Sequence, residues 1–281
     1  MKFSTWLHAL LEDTTPDGAV DEVVTYDNSA TTSKRVKIVN LIGAAGGIPI
    51  NGWIGAAAMT YASADDPTYT ATMVGDVSGI YQVGQRIKLT QATGGTKYFI
   101  ITKIAVAGNT TLTLYGGTDY NLENEAISSP CYSPVKAPFG FPLNPDKWTI
   151  EITDTGNRSQ ATPTQNVWYN LGSVTISIPI GIWDVDYRVL LCVADTTSIS
   201  WTVYSTLSTA NNSESDKQLT CLSGVDAIIV LYSTSTARKI IELTSKTSYY
   251  LNTKTGSANL DNMYNRGDVA TTIIRAVCAY L

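Results

Sequence analysis

One histidine in a chain of 281 residues leaves little room for chemistry that runs on imidazole. That residue is His8, near the N-terminus, and no GxSxG stretch occurs, so a Ser–His–Asp site has no support. His-rich metal sites are excluded with it. Charge is also scarce: 15% of residues are charged, with 19 Lys and Arg against 24 Asp and Glu and a net charge of −5. Such a balance provides no basic field for nucleic acid. The four cysteines are Cys131, Cys192, Cys221 and Cys278, and no pair has CxxC or other metal-ligand spacing. Cys192 and Cys278 lie in apolar runs and read as buried free thiols, while a disulfide among the four stays open. The N-terminus lacks the long apolar region and small-residue cleavage site of a signal peptide. The uncharged run from Ile38 to Ala64 is broken by Gly43, Gly46, Gly47, Pro49, Gly52 and Gly55. It reads as a Gly-rich linker, because a spanning helix needs about 20 mainly apolar residues with an intact backbone.

Hydrophobic residues make up 44% of the chain, enough for real cores. Thr, Ser, Gly and Tyr are plentiful, as on β-rich surfaces. One helix is expected near the N-terminus. Phe3, Trp6, Leu7, Leu10 and Leu11 recur on one face, Glu12 and Asp13 follow, and Pro16 stops the pattern. A helix this short needs a partner to dock on; His8 points off the stripe and reads as solvated. Two short strands follow, around Val23 to Tyr26 and Val36 to Asn40. Lys34, Arg35 and Lys37 alternate with apolar neighbours and read as a wet strand face.

The middle of the chain is continuously β-like. Tyr69 to Met73 alternates, and Arg86, Lys88 and Thr90 alternate with Ile87 and Leu89. Gly94-Gly95 and Gly108-Asn109 are hairpin signals. A segment with Pro130, Pro134, Pro138, Pro142 and Pro145 reads as an extended, semi-rigid spacer at a domain boundary. From Lys147 onward about eight strand-like runs alternate with turn signals, and no helical period appears. That pattern favours a jelly-roll sandwich. The apolar run ending at Leu281 ties the C-terminus into the core. The expected fold is all-β with a short N-terminal helix: a small antiparallel β barrel or sheet, then a C-terminal jelly-roll sandwich. The expected organisation is an N-terminal anchor over 1–47, a small β domain over 48–145 and a head over 146–281.

Residues suited to carry chemistry are few. Asp184 and Asp186, two apart on a strand, share a face, but a solvated strand edge explains them. Asp119, Glu123 and Glu125 form an acidic loop without EF-hand order. Gly116-Gly117 has neither a GxGxxG pattern nor a Walker lysine. Aromatics crowd the last domain, among them Trp148, Trp168, Trp183, Trp201 and Tyr204. Most read as core or subunit interface. Trp183, after an apolar run near a turn, is the least obviously buried and is the candidate ligand platform. Loops free of fold constraint are the place for recognition. The candidates are Asp195 to Ser198, Ala210 to Lys217, Ser233 to Arg238 and Gly256 to Asp268. Asn211, Asn212, Arg238, Lys254 and Arg266 are their candidate receptor contacts.

Three segments carry a resemblance. Asp27, Ser29, Thr31, Thr32, Ser33, Lys34, Val36, Asn40 and Leu41 follow the order of a short repeat near the virion-proximal end of many phage fibres. The second segment runs from Tyr61-Ala62-Ser63 through Gly75-Asp76, Gly84, Arg86 to Leu89 and Lys97 to Phe99. It continues through Gly116 to Tyr120 and the exit at Pro138 to Pro142, and is similar to a module recurring in phage structural proteins. The C-terminal stretch resembles the trimeric tumour-necrosis-factor-like jelly rolls at fibre tips. The chain therefore resembles bacteriophage virion proteins of the fibre or receptor-binding kind, without the long triple-stranded shaft. The resemblance implies a homotrimeric, non-enzymatic virion protein, made in the bacterial host cytoplasm. It implies anchoring to other virion proteins through Phe3, Trp6, Leu7, Leu10 and Leu11, and attachment to a host-surface glycan or protein. No cofactor, metal, nucleic acid or membrane insertion is implied. An architectural capsid-decoration or tail component is the alternative, and a surface-polysaccharide depolymerase the next; the short repeats of a β-helix are absent.

Overall fold

The structure is a computed structural model that describes residues 22–27, 32–37 and 49–281, apart from Tyr120, Ser173, Val225 and Asp226. The helix expected over Phe3 to Leu11, with its anchor residues and His8, lies outside the described residues. The described chain is all-β and antiparallel. Strands β1 (Glu22–Asp27) and β2 (Thr32–Lys37) form a hairpin in which Val23 faces Val36.

Seven strands make the middle sheet: β3 (Ile54–Gly55), β4 (Thr60–Asp65), β5 (Thr68–Met73), β6 (Arg86–Gln91), β7 (Gly95–Ala107), β8 (Asn109–Tyr115) and β9 (Ser128–Ser133). Their spatial order is β3-β9-β6-β7-β8-β5-β4. The hairpins turn where glycine permits a positive φ, at Gly94 (81°) and Gly108 (79°), a region costly for other residues. Alternation then sorts the side chains. Ile87, Leu89, Phe99, Ile101, Leu112 and Leu114 gather on one face in a core of their own. The Gly-rich stretch is more than a linker. Trp53 and Met59 are buried, and β3 pairs with β9. Glycine content concealed the short strand β3 and the two buried side chains that flank it, Trp53 and Met59.

The remaining strands form two sheets. One holds β10 (Thr149–Asp154), β11 (Asn157–Ala161), β14 (Gly181–Ser200), β17 (Ala227–Leu243), β19 (Asn262–Arg266) and β20 (Thr272–Cys278). The other holds β12 (Trp168–Tyr169), β13 (Thr175–Ile178), β15 (Val203–Ser208), β16 (Thr220–Ser223) and β18 (Thr247–Thr255). The organising element is β14. It pairs with β17 along one side and with β20 and then β19 along the other. Its odd positions, Trp183, Val185, Tyr187, Val189, Leu191 and Val193, all face the partner sheet and are buried. Leu207, Tyr249 and Leu251 meet them from β15 and β18. Two polar pairs span the layers: the Tyr187 hydroxyl lies 2.9 Å from Ser205 Oγ, and Thr253 Oγ1 donates to Asn265 Oδ1 at 3.0 Å. Buried polar groups without partners would cost far more than they return.

The Pro-rich segment is not a free spacer. Phe141 stacks on Trp148 (centroids 5.2 Å, 5° between planes), and the Trp148 indole donates to the Pro142 carbonyl at 2.8 Å. Both rings join a cluster that runs from Trp53, Ile100 and Tyr115 of the middle sheet into the sandwich. Lys147 is buried there, donating to the Gly116 carbonyl at 2.8 Å and pairing with Asp119 at 3.2 Å. Gly117, at φ 75°, sits so close that a Cβ would fall 2.5 Å from the Lys147 carbonyl oxygen. Proline supplies extension here, but the aromatics between the prolines decide where the segment lies.

Candidate functional site

The two outer faces of the sandwich carry different chemistry, and the candidate contact residues divide between them. On the six-stranded face, the even positions of β14 and β17 point outward. Asp184 accepts from Arg238 Nε at 2.8 Å, and Asp186 from Arg275 at 3.0 and 3.1 Å. The two aspartates do share a face, as their spacing predicts. They lie mid-sheet, since β14 is paired on both sides. Asp186, with Glu151, Arg188, Thr236, Arg238 and Ile273, lines an open groove of about 570 Å³. The Arg238 guanidinium holds the Asp184 carboxyl below its ordinary range, so it stays ionised and is not poised as a general acid.

Arg238 therefore does not belong to a loop. Residues 233–238, expected as a turn, lie within β17 and pair with 186–191 of β14. The run Ser233, Thr234, Ser235 and Thr236 resembles turn composition but is one inward and one outward hydroxyl row. Residues 195–198 likewise fall inside β14, at a bulge between Ala194 and Ile199. The stretch from Gly256 to Asp268 contains β19. Arg266 ends that strand, paired with Asp268 at 2.8 Å and donating to the Tyr232 hydroxyl at 3.0 Å. Trp183 is a further correction: it is fully buried, edge-on to Tyr115 with centroids 5.0 Å apart. Its odd position in β14 sends it inward. The apolar run before it ends β13 at Ile178, turns at Pro179 and Ile180 and enters β14 at Gly181, so Trp183 is already within a strand.

The five-stranded face gathers the other three candidates. Register places Trp168 opposite Lys254, Lys254 opposite Tyr204 and Tyr204 opposite Leu222, one row across β12, β18, β15 and β16. Lys254 Nζ lies 4.6 Å from the Trp168 ring centroid and 4.8 Å from that of Tyr204. The Ala210-to-Lys217 loop is a loop as expected, folded back over this sheet. Buried Asn252 donates from Nδ2 to the carbonyls of Ala210 (2.9 Å) and Ser213 (2.8 Å). Asn211 and Asn212 each accept from Asn170 at 2.7 Å, and Asn212 holds φ 53°. Just past the end of β18 Gln165 donates to the Gly256 carbonyl at 2.6 Å, beside Asn166 at φ 62°. Left-handed non-glycine residues hold such geometry only when the surroundings over-determine it. Sequence reasoning placed Trp168 and Tyr204 among core aromatics. The clue it passed over is period 2: in β15, Tyr204 alternates with buried Val203 and Ser205.

The acidic loop gathers no cation site. Asp119 serves Lys147, Glu125 accepts from the Thr93 amide at 2.8 Å, and among the described residues no three His, Cys, Asp or Glu come together to hold a metal. Among those residues, too, no helix is long and apolar enough to cross a membrane. All four thiols are free, with Cys192 and Cys278 buried.

No family model matches this chain, and no curated protein matches it. Among solved structures it is matched to a chain of the T13 particle of infectious bursal disease virus at 13% identity and TM-score 0.28. That match covers 79% of this chain and 60% of the viral one. A chain of the Gx strain of the same virus matches at 13% identity and TM-score 0.23, covering 92% of this chain and 68% of that one. The chain thus spans about 60% of the length of the first of these, and scores this low do not mark a shared fold.

Proposed function

We propose that this chain is a structural protein of a bacteriophage virion, a short fibre or spike whose C-terminal sandwich is displayed for attachment to a host-surface glycan. The observation that carries the reading is the shared core. Middle sheet, Pro-rich segment and sandwich contribute to one apolar cluster, which makes them a stiff body suited to hold a head away from an anchor. The functional groups on the described surface suit binding better than catalysis. The Asp184 and Asp186 pair is neutralised by arginines, and the six-stranded groove is open. Strand order supports a jelly-roll layout for the head. One layer runs β10-β20-β14-β19-β11 with β17 beside β14, the other β12-β18-β15-β16 with β13 beside β18, so the chain crosses repeatedly between the layers, as a jelly roll requires. In this reading the head is a homotrimer. Closed symmetry is the usual state for such assemblies, and exposed Ile240, Tyr232 and Val230 on β17 offer surface for it. Phe3, Trp6, Leu7, Leu10 and Leu11 supply the virion anchor.

Peptide mass spectrometry on purified particles, with a map that locates the protein, tests the virion assignment. A fixed copy number at a surface position is expected. Adsorption competition tests attachment: saturating full-length protein blocks phage adsorption, and failure to bind or compete leaves an architectural role. Light scattering on the full chain gives three copies if the trimer is correct, and a stable monomer at micromolar concentration removes it.

A further inference from the structure

We propose that the outer face of the five-stranded sheet binds an acidic saccharide, with the sugar's carboxylate on Lys254 and its ring against Trp168 and Tyr204. The proposal rests on the attachment reading and names the ligand class and the site.

The row is built rather than incidental. Four adjacent strands each contribute one side chain at the same level of the register, Trp168, Lys254, Tyr204 and Leu222. The ammonium lies between two rings at 4.6 and 4.8 Å, so its long stem is held in place before any ligand arrives. Pre-ordering of this kind removes part of the entropic cost of binding. Gly256 lies close beside the row: a Cβ there would fall 2.9 Å from Thr202 Oγ1 and 3.3 Å from the Tyr204 ring, so a side chain would crowd both.

Charge selects the ligand. The chain carries net −5, and five other cations of the sandwich are neutralised internally. Arg158 pairs with Asp154, Arg238 with Asp184, Lys239 with Asp216, Arg266 with Asp268 and Arg275 with Asp186. Lys254 meets no carboxylate among the described residues and is held by ring faces alone. A half-buried positive charge flanked by aromatics complements an anion with an apolar face. A uronic or sialic sugar has that combination: a carboxylate for the ammonium, C–H groups for the rings and hydroxyls for nearby amides. The amides are at hand in Asn211, exposed on a loop braced by Asn170 and Asn252.

The test uses the full-length protein and a panel of oligosaccharides containing galacturonic, glucuronic or sialic acid, with neutral oligosaccharides of equal length and poly-glutamate as controls. Binding is read by calorimetry and by quenching of tryptophan fluorescence. At least one acidic sugar is expected to bind about tenfold more tightly than its neutral counterpart, a gap that closes as salt is raised. Lys254→Met removes that preference and Lys254→Arg restores most of it, while both variants keep the wild-type circular dichroism and melting temperature. Trp168→Ala weakens acidic and neutral sugars alike. The proposal is overturned if no acidic sugar binds, if Lys254→Met binds as the wild type does, or if poly-glutamate binds as tightly as the best sugar. Adsorption assays separate this from the attachment reading. Protein that blocks adsorption equally well as Lys254→Met and as Trp168→Ala leaves attachment standing and removes this site. Protein that binds acidic sugars without blocking adsorption does the reverse.

Discussion

Arg86 Nη2 donates to the carbonyl oxygen of Tyr280 at 2.8 Å, across 194 residues of sequence. Its Nε donates to the Lys136 carbonyl at 3.1 Å and its Nη1 to that of Gly84, while the guanidinium lies 5.0 Å from the Phe141 ring centroid. One buried side chain thus joins the middle sheet, the Pro-rich segment and the end of the chain. Burial pulls its pKa below the ordinary guanidinium value, yet a guanidinium keeps its proton throughout the usable pH range. Arg86→Met leaves three carbonyls without donors. It is expected to cost about 3–5 kcal/mol, read as a lower denaturant midpoint with an unchanged slope. A loss below about 1 kcal/mol would show that the carbonyls find other partners.

The stacked pair Phe141 and Trp148 predicts how the Pro-rich segment meets proteases. Native protein is expected to resist cleavage between Pro130 and Pro145, unlike a flexible linker. Phe141→Ala, at about 3–5 kcal/mol for a buried Phe, opens the segment. Limited proteolysis followed by mass spectrometry of the fragments decides it. Rapid cleavage of the wild type at that segment would mean the seam is not closed in solution.

Acid sensitivity follows from Asp184 and Asp154. The Arg238 hydrogen bonds hold Asp184, and those of Arg158 hold Asp154, below the ordinary 3.8. A carboxyl whose folded value is depressed adds stability above its unfolded value and loses it as pH falls through the folded one. Asp184→Asn is therefore less stable than the wild type at neutral pH, and the two converge below pH 3.8. Denaturant titrations across that range give the comparison. A gap independent of pH would assign the effect to packing.

The thiols divide by depth. Burial pushes Cys278 up to about 11 and raises Cys192 as well, so neither supplies much thiolate near neutrality. Cys131 and Cys221 are half-buried and are expected to take a thiol reagent at pH 8 in the folded protein. Cys192 and Cys278 should label only after denaturation, as read by peptide mass spectrometry. Because a raised thiol value contributes stability below its unfolded value and loses it as pH rises toward 11, Cys278→Ser should flatten the alkaline limb of the stability profile.

Much of the middle sheet was legible because its strands alternate and end in glycine turns. Strands β5 to β8 match the runs read from sequence, including the hairpins at Gly94-Gly95 and Gly108-Asn109. The long strands were not. Ser233 to Thr236 and Asp195 to Ser198 have turn composition, yet both lie within strands, where hydroxyls such as Ser235 face Ser205 across the layers. Of the candidate contacts, Asn211 and Asn212 occupy a loop as read. Lys254 meets its two rings only through pairing over 86 and 50 residues, which no local pattern encodes.

By itself the sequence determined the class of the molecule: an all-β chain of low charge with a single histidine, with real cores and turns. Those properties depend on composition and on a period of two, and both are local. Tertiary structure alone decided which face each strand turns to a neighbour. Arg86 alternates like a wet residue and is buried because the sandwich covers its side of the sheet. Trp183 is buried because its odd position in β14 faces the partner sheet and Tyr115 of the middle sheet meets it there. Lys254 stays without a carboxylate because its register neighbours are aromatic. The physical reason is common to the three: a strand has two faces, and what covers each is set by non-local pairing, not by the residues along the strand.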